Sequence, residues 1–142
     1  MTGLTAIDTN ILAALGSPNV HANAAASAAL AKAAAAGPVC VCGAIFAELL
    51  GFPGRHSGNL RQFFGTLGIS IEWKLEEQDW EAAGLAYQAY VQRRRESPGG
   101  LPSMMLTDFL IGAHASVRNY ALLTLDKRLY GAAFPGLRIE TC

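Results

Sequence analysis

The chain has 142 residues, 51% of them hydrophobic, and its 11 basic and 11 acidic side chains give a formal net charge of zero. This size and composition predict one folded domain over residues 1–142 with a sizeable apolar core. No run approaches the roughly 18 to 20 apolar residues of a membrane span, and the first residues lack the pattern of a secretory leader, so we expect a cytoplasmic protein.

The neutral balance argues at first against a nucleic-acid partner, which usually meets a positive surface. The charges are unevenly distributed, however: five acids crowd positions 72–81, and Arg93, Arg94 and Arg95 form a run downstream. Acids at a helix start and bases at its end favour the helix dipole, so solvated helix termini would explain both clusters. The arginines are equally suited to phosphates or to an acidic partner.

In chain order, the first half of the sequence alternates short apolar runs with helical patterns. A strand at "LTAID" precedes an alanine-rich helix over about 19–36, which ends at Gly37-Pro38. A second strand at "PVCVCG" leads into a short helix, "AIFAELLGF", stopped by Gly51 and Pro53. The segment "GRHSGN" predicts an exposed loop before a helix through "LRQFFGTL".

The second half continues the alternation. A strand at "GISIEW" precedes a helix from about Glu76 to Arg95, which the turn formers of "SPGGLPS" interrupt. The segment "TDFLIGAHASVRN" predicts a helix between that break and the strand "ALLTL", and "LRIET" predicts a last strand. Strands alternating with helices predict an α/β sandwich on a mostly parallel sheet, where ligands bind beyond the carboxyl ends of the strands.

The three cysteines do not form an even disulfide framework. Cys40 and Cys42 would point to the same face of a strand, and we expect them to be small buried hydrophobic residues. Their spacing differs from that of common zinc sites, and the histidines are scattered singly. We therefore expect no zinc site, and structural or surface roles for His21, His56 and His114.

Four acids lie apart from the charged cluster, each in apolar surroundings: Asp8, Glu48, Asp108 and Asp126. Asp8 and Asp126 follow strands and Asp108 opens the helix "FLIGAHA", so each of these three could be only a helix N-cap, a role worth about 1 kcal/mol. Glu48 is harder to explain because its neighbours at helical spacing are apolar or small. A carboxylate on such a face needs a partner or a metal.

The predicted topology brings these acids towards one place. Asp8 and Asp126 end strands at the sheet edge where sites form, while Glu48 and Asp108 begin or lie on helices that can point there. Four carboxylates gathered without cations would repel each other and raise one another's pKa values. Mg²⁺ and Mn²⁺ relieve that repulsion, since they take carboxylate and water oxygens as ligands.

In order and spacing, the segments "DTNIL", "AELL", "TDFLIGAHA" and "LLTLDKRLY" resemble the PIN-domain nucleases, in particular the VapC-like toxins of bacterial toxin–antitoxin pairs. The resemblance covers residues 8–130. It implies a PIN-like three-layer α/β sandwich, a small cognate antitoxin, and a homodimer or a toxin–antitoxin hetero-oligomer. The catalytic and metal-binding residues that it implies are Asp8, Glu48, Asp108 and Asp126, with polar support from Asn10 and Thr124.

The resulting hypothesis is a Mg²⁺- or Mn²⁺-dependent endoribonuclease that hydrolyses RNA phosphodiester bonds. Asp8 and Asp108 are the expected direct ligands, and Glu48 and Asp126 complete the site or hold its water molecules. Discounting those four acids leaves 11 bases against 7 acids, a surplus that suits a phosphate substrate once metal is bound. Four further basic side chains could reach the RNA backbone or belong to an ordinary exposed surface: Arg55, His56, Lys127 and Arg128.

Other interpretations remain open. Phosphatases of the haloacid dehalogenase type also place a nucleophilic Asp after the first strand, but they require a second Asp where this chain has Asn10. Receiver-like phosphoacceptors require adjacent acids, and Asp8 is followed by Thr9. A PIN-like binding module with an inactive quartet is the non-enzymatic alternative. The helix "AIFAELLGF" could offer an antitoxin a hydrophobic groove, although most of its apolar side chains are expected in the core.

Overall fold

The computed structural model of the chain describes residues 3–96 and 105–142. Within these ranges the strands are β1 (Thr5–Ile7), β2 (Val39–Cys42), β3 (Ile69–Glu72), β4 (Ala121–Leu123) and β5 (Arg138–Glu140). They form one sheet in the spatial order β3-β2-β1-β4-β5, and every neighbouring pair is parallel. The helices are α1 (Thr9–Leu15), α2 (Val20–Ala36), α3 (Gly43–Leu50), α4 (Ser57–Leu67), α5 (Glu77–Glu96), α6 (Leu106–Val117) and α7 (Lys127–Ala133).

The predicted α/β fold with a parallel sheet is confirmed, and each of the five predicted strands forms. Strands β1, β2 and β4 are buried along their whole length. Strands covered on both faces consist of continuous apolar runs, because neither face meets water. The edge strands β3 and β5 are partly exposed, which agrees with their more polar sequences.

The register of the sheet places two site candidates side by side. Ile7 at the end of β1 pairs with Leu123 at the end of β4. Asp8 and Thr124 therefore leave the sheet at the same edge, and the Asp8 backbone N–H donates to the Leu123 carbonyl at 2.9 Å. This is the carboxyl edge at which α/β proteins bind ligands.

The predicted helices begin and end close to the expected positions, and the largest difference is at α4. Asn19 caps α2 by accepting the backbone N–H groups of His21 and Ala22. The predicted loop "GRHSGN" is shorter than expected, because α4 already begins at Ser57. Residues 57–59 at the start of α4 are exposed and none of them is apolar, so periodicity gave no sign of them. The predicted break at "SPGGLPS" lies outside the described residues.

The sequence suggested that the acidic cluster around α5 is a solvated helix terminus. The structure differs, because one of these acids, Asp79, is buried. Asp79 is 0% exposed and accepts two hydrogen bonds from the Arg118 guanidinium, at 2.6 and 2.9 Å. Arg118 follows α6, so this buried ion pair ties the start of α5 to the end of α6. Arg93 and Arg95, in the last turn of α5, are exposed as expected.

No helix in the described ranges is both long and apolar enough to cross a membrane.

Candidate active site

Asp8 is the most constrained of the four predicted acids. Its side chain caps α1, as the simpler interpretation expected, with Oδ1 accepting the Thr9 backbone N–H at 2.7 Å. Oδ2 accepts the Thr124 hydroxyl at 2.8 Å, across 116 residues of chain. Asp8 is only 4% exposed, and this burial raises its pKa to about 6, even though both hydrogen bonds lower it. The negative charge of Asp108 raises that pKa further.

Asn10 and Thr124 connect the end of β1 to the turn that follows β4. The Thr124 hydroxyl accepts the Asn10 side-chain amide at 3.3 Å and the Asp126 backbone N–H at 3.0 Å. The Asn10 side-chain oxygen accepts the Leu125 backbone N–H at 3.1 Å. These bonds fix the loop that carries Asp126 against the loop that carries Asp8. The polar support expected from Asn10 and Thr124 therefore has a structural counterpart.

Asp108 lies on α6 and faces the same cavity as Asp8. It is not the N-cap that the sequence allowed, because α6 begins two residues earlier, at Leu106. Its side chain instead accepts the Met105 backbone N–H at 3.0 Å from inside the first turn. Asp108 is half-buried, and its pKa is raised by that burial and by the charge of Asp126. Asp126 itself is exposed and caps α7 through the Leu129 backbone N–H at 3.4 Å.

Three of the four predicted acids line one cavity of about 250 Å³: Asp8, Asp108 and Asp126. Glu48 borders a neighbouring groove beside Trp73 and Thr107. Its carboxylate is nevertheless linked to the cavity, since it accepts the Thr9 hydroxyl at 2.6 Å and Thr9 lines that cavity. The structure thus places three of the acids on the cavity wall. The fourth, Glu48, is linked to the cavity through its hydrogen bond with Thr9.

Tyr130 is a cavity residue that sequence reasoning missed. It is 1% exposed, and its hydroxyl has no hydrogen-bond partner within the described part of the chain. It lies close enough to Asp8 to lower the pKa of that carboxyl group, but the two groups do not meet the distance and angle limits of a hydrogen bond. Burial, followed by the charges of Asp8 and Asp108, raises the pKa of the hydroxyl. The available signal was its position four residues after Asp126, one helical turn along α7.

The four basic side chains predicted to contact RNA fall into two separate places, and all four are exposed. Arg55 and His56 line an apolar groove of about 570 Å³ that also includes Thr9, so this groove adjoins the acidic cavity. Lys127 and Arg128 face a different depression, beside Leu137 and Ile139 at the β5 edge. The first pair therefore lines a groove that shares Thr9 with the acidic cavity, whereas the second pair directly follows the cavity residue Asp126 in the chain.

The cavity suits a hard divalent cation. The acid donor set at its walls consists of carboxylate oxygens, which Mg²⁺ and Mn²⁺ prefer. Two of these carboxyl groups, Asp8 and Asp108, have pKa values raised by burial and by neighbouring negative charge. The unpartnered Tyr130 hydroxyl also leaves hydrogen-bonding capacity at the cavity wall. A cation would offset the repulsion that the folded chain otherwise contains.

Comparisons with known proteins agree on the fold. A family model described as "PIN domain" matches residues 5–135, whereas no curated protein matches the sequence significantly. Among solved structures, VapBC2 from Rickettsia felis bound to a promoter DNA fragment aligns at 19% identity and TM-score 0.70, covering 97% of this chain and 98% of that chain. VapBC-1 from nontypeable Haemophilus influenzae aligns at 16% identity and TM-score 0.66, covering 97% of both chains.

A third similar structure is VapC20 from Mycobacterium tuberculosis, described as a sarcin–ricin loop cleaving toxin. It aligns at 17% identity and TM-score 0.57, covering 94% of this chain and 98% of that chain. At such low identity, these likenesses establish a shared fold. The three alignments cover nearly the full length of both chains, so the similarity extends over nearly the whole fold.

Proposed function

This chain belongs to the PIN-domain family, and from that membership we propose that it is a metal-dependent endoribonuclease, the toxin of a toxin–antitoxin pair acting in the cytoplasm. One observation carries the proposal: the side chains of Asp8, Asp108 and Asp126 line a single cavity at the carboxyl edge of the parallel sheet. Burial and neighbouring negative charge raise the pKa values of Asp8 and Asp108. Such carboxyl groups, gathered where α/β folds bind ligands, are typical of a catalytic cation site.

Asp8 and Asp108 are the proposed direct ligands of Mg²⁺ or Mn²⁺, with Asp126 and Glu48 completing the site. When bound, the cation would lower the pKa of water and offset the charge of the phosphodiester. The protein holds the proposed ligands in place, since Thr124 and the Thr9 backbone fix the two oxygens of Asp8. The Thr9 hydroxyl fixes Glu48. Such fixed ligands need little reorganisation when substrate binds.

RNA is the proposed substrate, and its backbone would approach from the side of Arg55 and His56. Both side chains are exposed at the end of the groove that adjoins the cavity through Thr9. Phosphate contacts of this kind position a nucleic acid without reading its sequence. Lys127 and Arg128 would meet only RNA that extends past Asp126 towards β5.

The same groove is the proposed docking site of an antitoxin segment. Its walls are largely apolar and include Leu12, Leu49, Phe52 and Phe63. Leu49 is buried, as the sequence predicted for most of this helix, but Phe52 is 56% exposed. Two of the similar structures are VapBC toxin–antitoxin proteins. A homodimer, or a hetero-oligomer with the antitoxin, is part of this proposal.

Cleavage of a mixed, structured RNA pool by the purified, antitoxin-free chain tests the function. We expect cuts with Mg²⁺ or Mn²⁺, none with EDTA, and a loss of at least about 100-fold in Asp8→Asn. Asparagine keeps a cap oxygen for α1, so that variant should fold. Glu81→Gln, which removes an exposed acid on α5 far along the chain from the motifs, is the matched control and should cut normally.

The alternatives give different results in the same assay. A folded wild type that binds Mn²⁺ without cutting any RNA would indicate a PIN-like binding module. Hydrolysis of a phosphomonoester that is lost in Asp8→Asn would indicate a phosphatase. Asn10 counts against the latter, because both ends of its amide are engaged with Thr124 and Leu125.

A further inference from the structure

A second group of metal-ligating side chains lies away from the acidic cavity, where α6 meets β2 and β3. Cys40 of β2, Glu72 at the end of β3 and His114 of α6 each offer one ligand atom, and these atoms lie within 4.8 Å of one another. Cys40 and His114 are 0% and 1% exposed, whereas the Glu72 side chain is 29% exposed. A cation could therefore reach the group past Glu72.

Contrary to the expectation from the spacing of the cysteines and histidines, we propose that Cys40, Glu72 and His114 form a second metal site, specific for Zn²⁺ or a chemically similar transition-metal ion. Thiolate, imidazole and carboxylate are the ligand types of tetrahedral zinc, and a thiolate selects against Mg²⁺ and Mn²⁺. Neighbouring ligand atoms in such a site are about 3.3 to 3.7 Å apart, given metal–ligand bonds of about 2.0 to 2.3 Å. The three atoms lie within 4.8 Å of one another, so any wider separation would shorten by up to about 1 Å, and the 2.8 Å between His114 Nε2 and Glu72 Oε1 would lengthen.

The carboxylate is already oriented by its neighbours. The Tyr120 hydroxyl donates to Glu72 Oε2 at 3.1 Å, and the Arg118 guanidinium lies 3.8 Å from Oε1. The Tyr120 ring also packs edge-on against the His114 imidazole, with 5.7 Å between centroids. Outer partners of this kind fix the direction of metal ligands and raise affinity.

The local charge also favours a cation. Glu72 and the fully buried Asp79 are two negative groups facing one positive group, Arg118. His114 is counted as a neutral imidazole, the form that binds metal ions. One negative charge is thus left over at a largely desolvated place, which is costly. A divalent cation together with the Cys40 thiolate would leave the whole cluster neutral.

The competing explanation is a hydrogen-bonded core cluster without metal. In that state His114 Nε2–H donates to Glu72 Oε1 at 2.8 Å, and the Cys40 thiol is an apolar neighbour. The two states differ in proton number. Burial raises the pKa of the Cys40 thiol, so metal binding must release its proton, while the imidazole only moves its proton from Nε2 to Nδ1.

A bound ion would join three elements that are distant in sequence. It would tie α6 to β2 and β3, and the first turn of α6 carries Asp108. The inference stands independently of the proposed nuclease, since the site shares no residue with the acidic cavity. It predicts a gain in stability with Zn²⁺ whether or not RNA is cut.

Titration of the chelator-treated full chain with Co²⁺ and then Zn²⁺ tests this site, in a Cys142→Ser background that removes the exposed thiol. We expect one equivalent of Co²⁺ to give a thiolate-to-metal absorption band that Zn²⁺ displaces. Cys40→Ser should abolish the band and weaken Zn²⁺ binding by more than the ~10 to 100-fold typical of losing an outer partner. Tyr120→Phe should weaken it by about 10-fold.

Cys42→Ser is the matched control, because Cys42 lies on the same strand, is equally buried, and is not part of the ligand group. That variant and Asp8→Asn should both keep the band. Zn²⁺ affinity should fall about tenfold for each pH unit below neutral, as one thiol proton is released. If Cys40→Ser fails to fold by circular dichroism, His114→Gln, which keeps a donor to Glu72, should also lose the band.

Absence of the band in the wild type, or its persistence in folded Cys40→Ser or His114→Gln, would overturn the proposal in favour of the hydrogen-bonded core cluster. A band lost in Asp8→Asn but kept in Cys40→Ser would locate the ion in the acidic cavity and would equally overturn it.

Discussion

At the scale of single residues, Asp8 shows that a helix cap and a site ligand are compatible roles. One carboxylate oxygen caps α1, and the other accepts a hydrogen bond from the hydroxyl of Thr124, which follows β4. A carboxylate oxygen has two lone pairs, so each can still accept a further interaction on its free side. The cap orients the group, and burial gives it its raised pKa.

The Tyr130 hydroxyl is expected to lower the stability of the metal-free protein. Its buried hydroxyl has no hydrogen-bond partner within the described residues, and burying such a group costs about 1 to 3 kcal/mol. We expect Tyr130→Phe to raise the free energy of unfolding by about 1 kcal/mol, measured by urea denaturation with EDTA at pH 5. The phenyl ring keeps the packing, so only the hydroxyl is lost.

Tyr120→Phe is the comparison, because the Tyr120 hydroxyl donates to both oxygens of Glu72. That substitution should lower stability by about 1 kcal/mol. Equal destabilisation by both substitutions would mean that the Tyr130 hydroxyl does find a partner in solution.

At the scale of elements, the approach of α6 to the end of α7 depends on one glycine. A Cβ atom at Gly112 would come within 2.3 Å of the Phe134 ring, which is itself buried. Phe134 follows α7, the helix that carries Tyr130 and is capped by Asp126. We expect Gly112→Ala to lower the free energy of unfolding by about 1 to 3 kcal/mol through overpacking.

The same substitution at Gly84 should act in the opposite direction. Gly84 is exposed on α5, and a Cβ there would meet nothing within 4 Å. Alanine is the better helix former, so Gly84→Ala should raise stability by about 0.5 to 1 kcal/mol. Thermal unfolding of the two variants side by side measures the contrast; a neutral Gly112→Ala would show that α7 can move away freely.

At the scale of the whole molecule, the acidic cavity makes stability depend on pH in an unusual direction. The pKa of Asp8 rises from 3.8 to about 6 on folding. The folded state therefore holds this proton more tightly than the unfolded state. Its contribution is fully present below pH 3.8 and is lost as the pH rises through about 6. The shift corresponds to a loss of about 3 kcal/mol.

Urea unfolding of the wild type and Asp8→Asn in EDTA, between pH 4 and 7.5, checks this expectation. The stability of the wild type should fall relative to Asp8→Asn over that range, since asparagine does not titrate. Excess Mn²⁺ at pH 7.5 should restore much of the difference in the wild type alone, by about 2.7 kcal/mol at a concentration 100 times the dissociation constant. Parallel pH curves for the two proteins would refute the raised pKa.

Much of the fold follows from local pattern. The apolar runs predicted all five strands, and Asn19 with Gly37-Pro38 predicted both ends of α2. The predictions failed where no apolar periodicity existed, as at the exposed residues 57–59 of α4. They also failed for Asp79, because an acid in a charged segment gives no sign of the distant arginine that buries it.

The parallel α/β architecture and the four isolated acids were predictable from the sequence, because strand burial and residue type are local properties. Which side chains meet was not predictable without the folded structure. It placed Asp8, Asp108 and Asp126 on one cavity, held Glu48 beside it through Thr9, and brought the Tyr130 hydroxyl to the same wall. It also assembled Cys40, Glu72 and His114 from three elements. Such juxtapositions depend on strand order and helix packing, which no short-range spacing records.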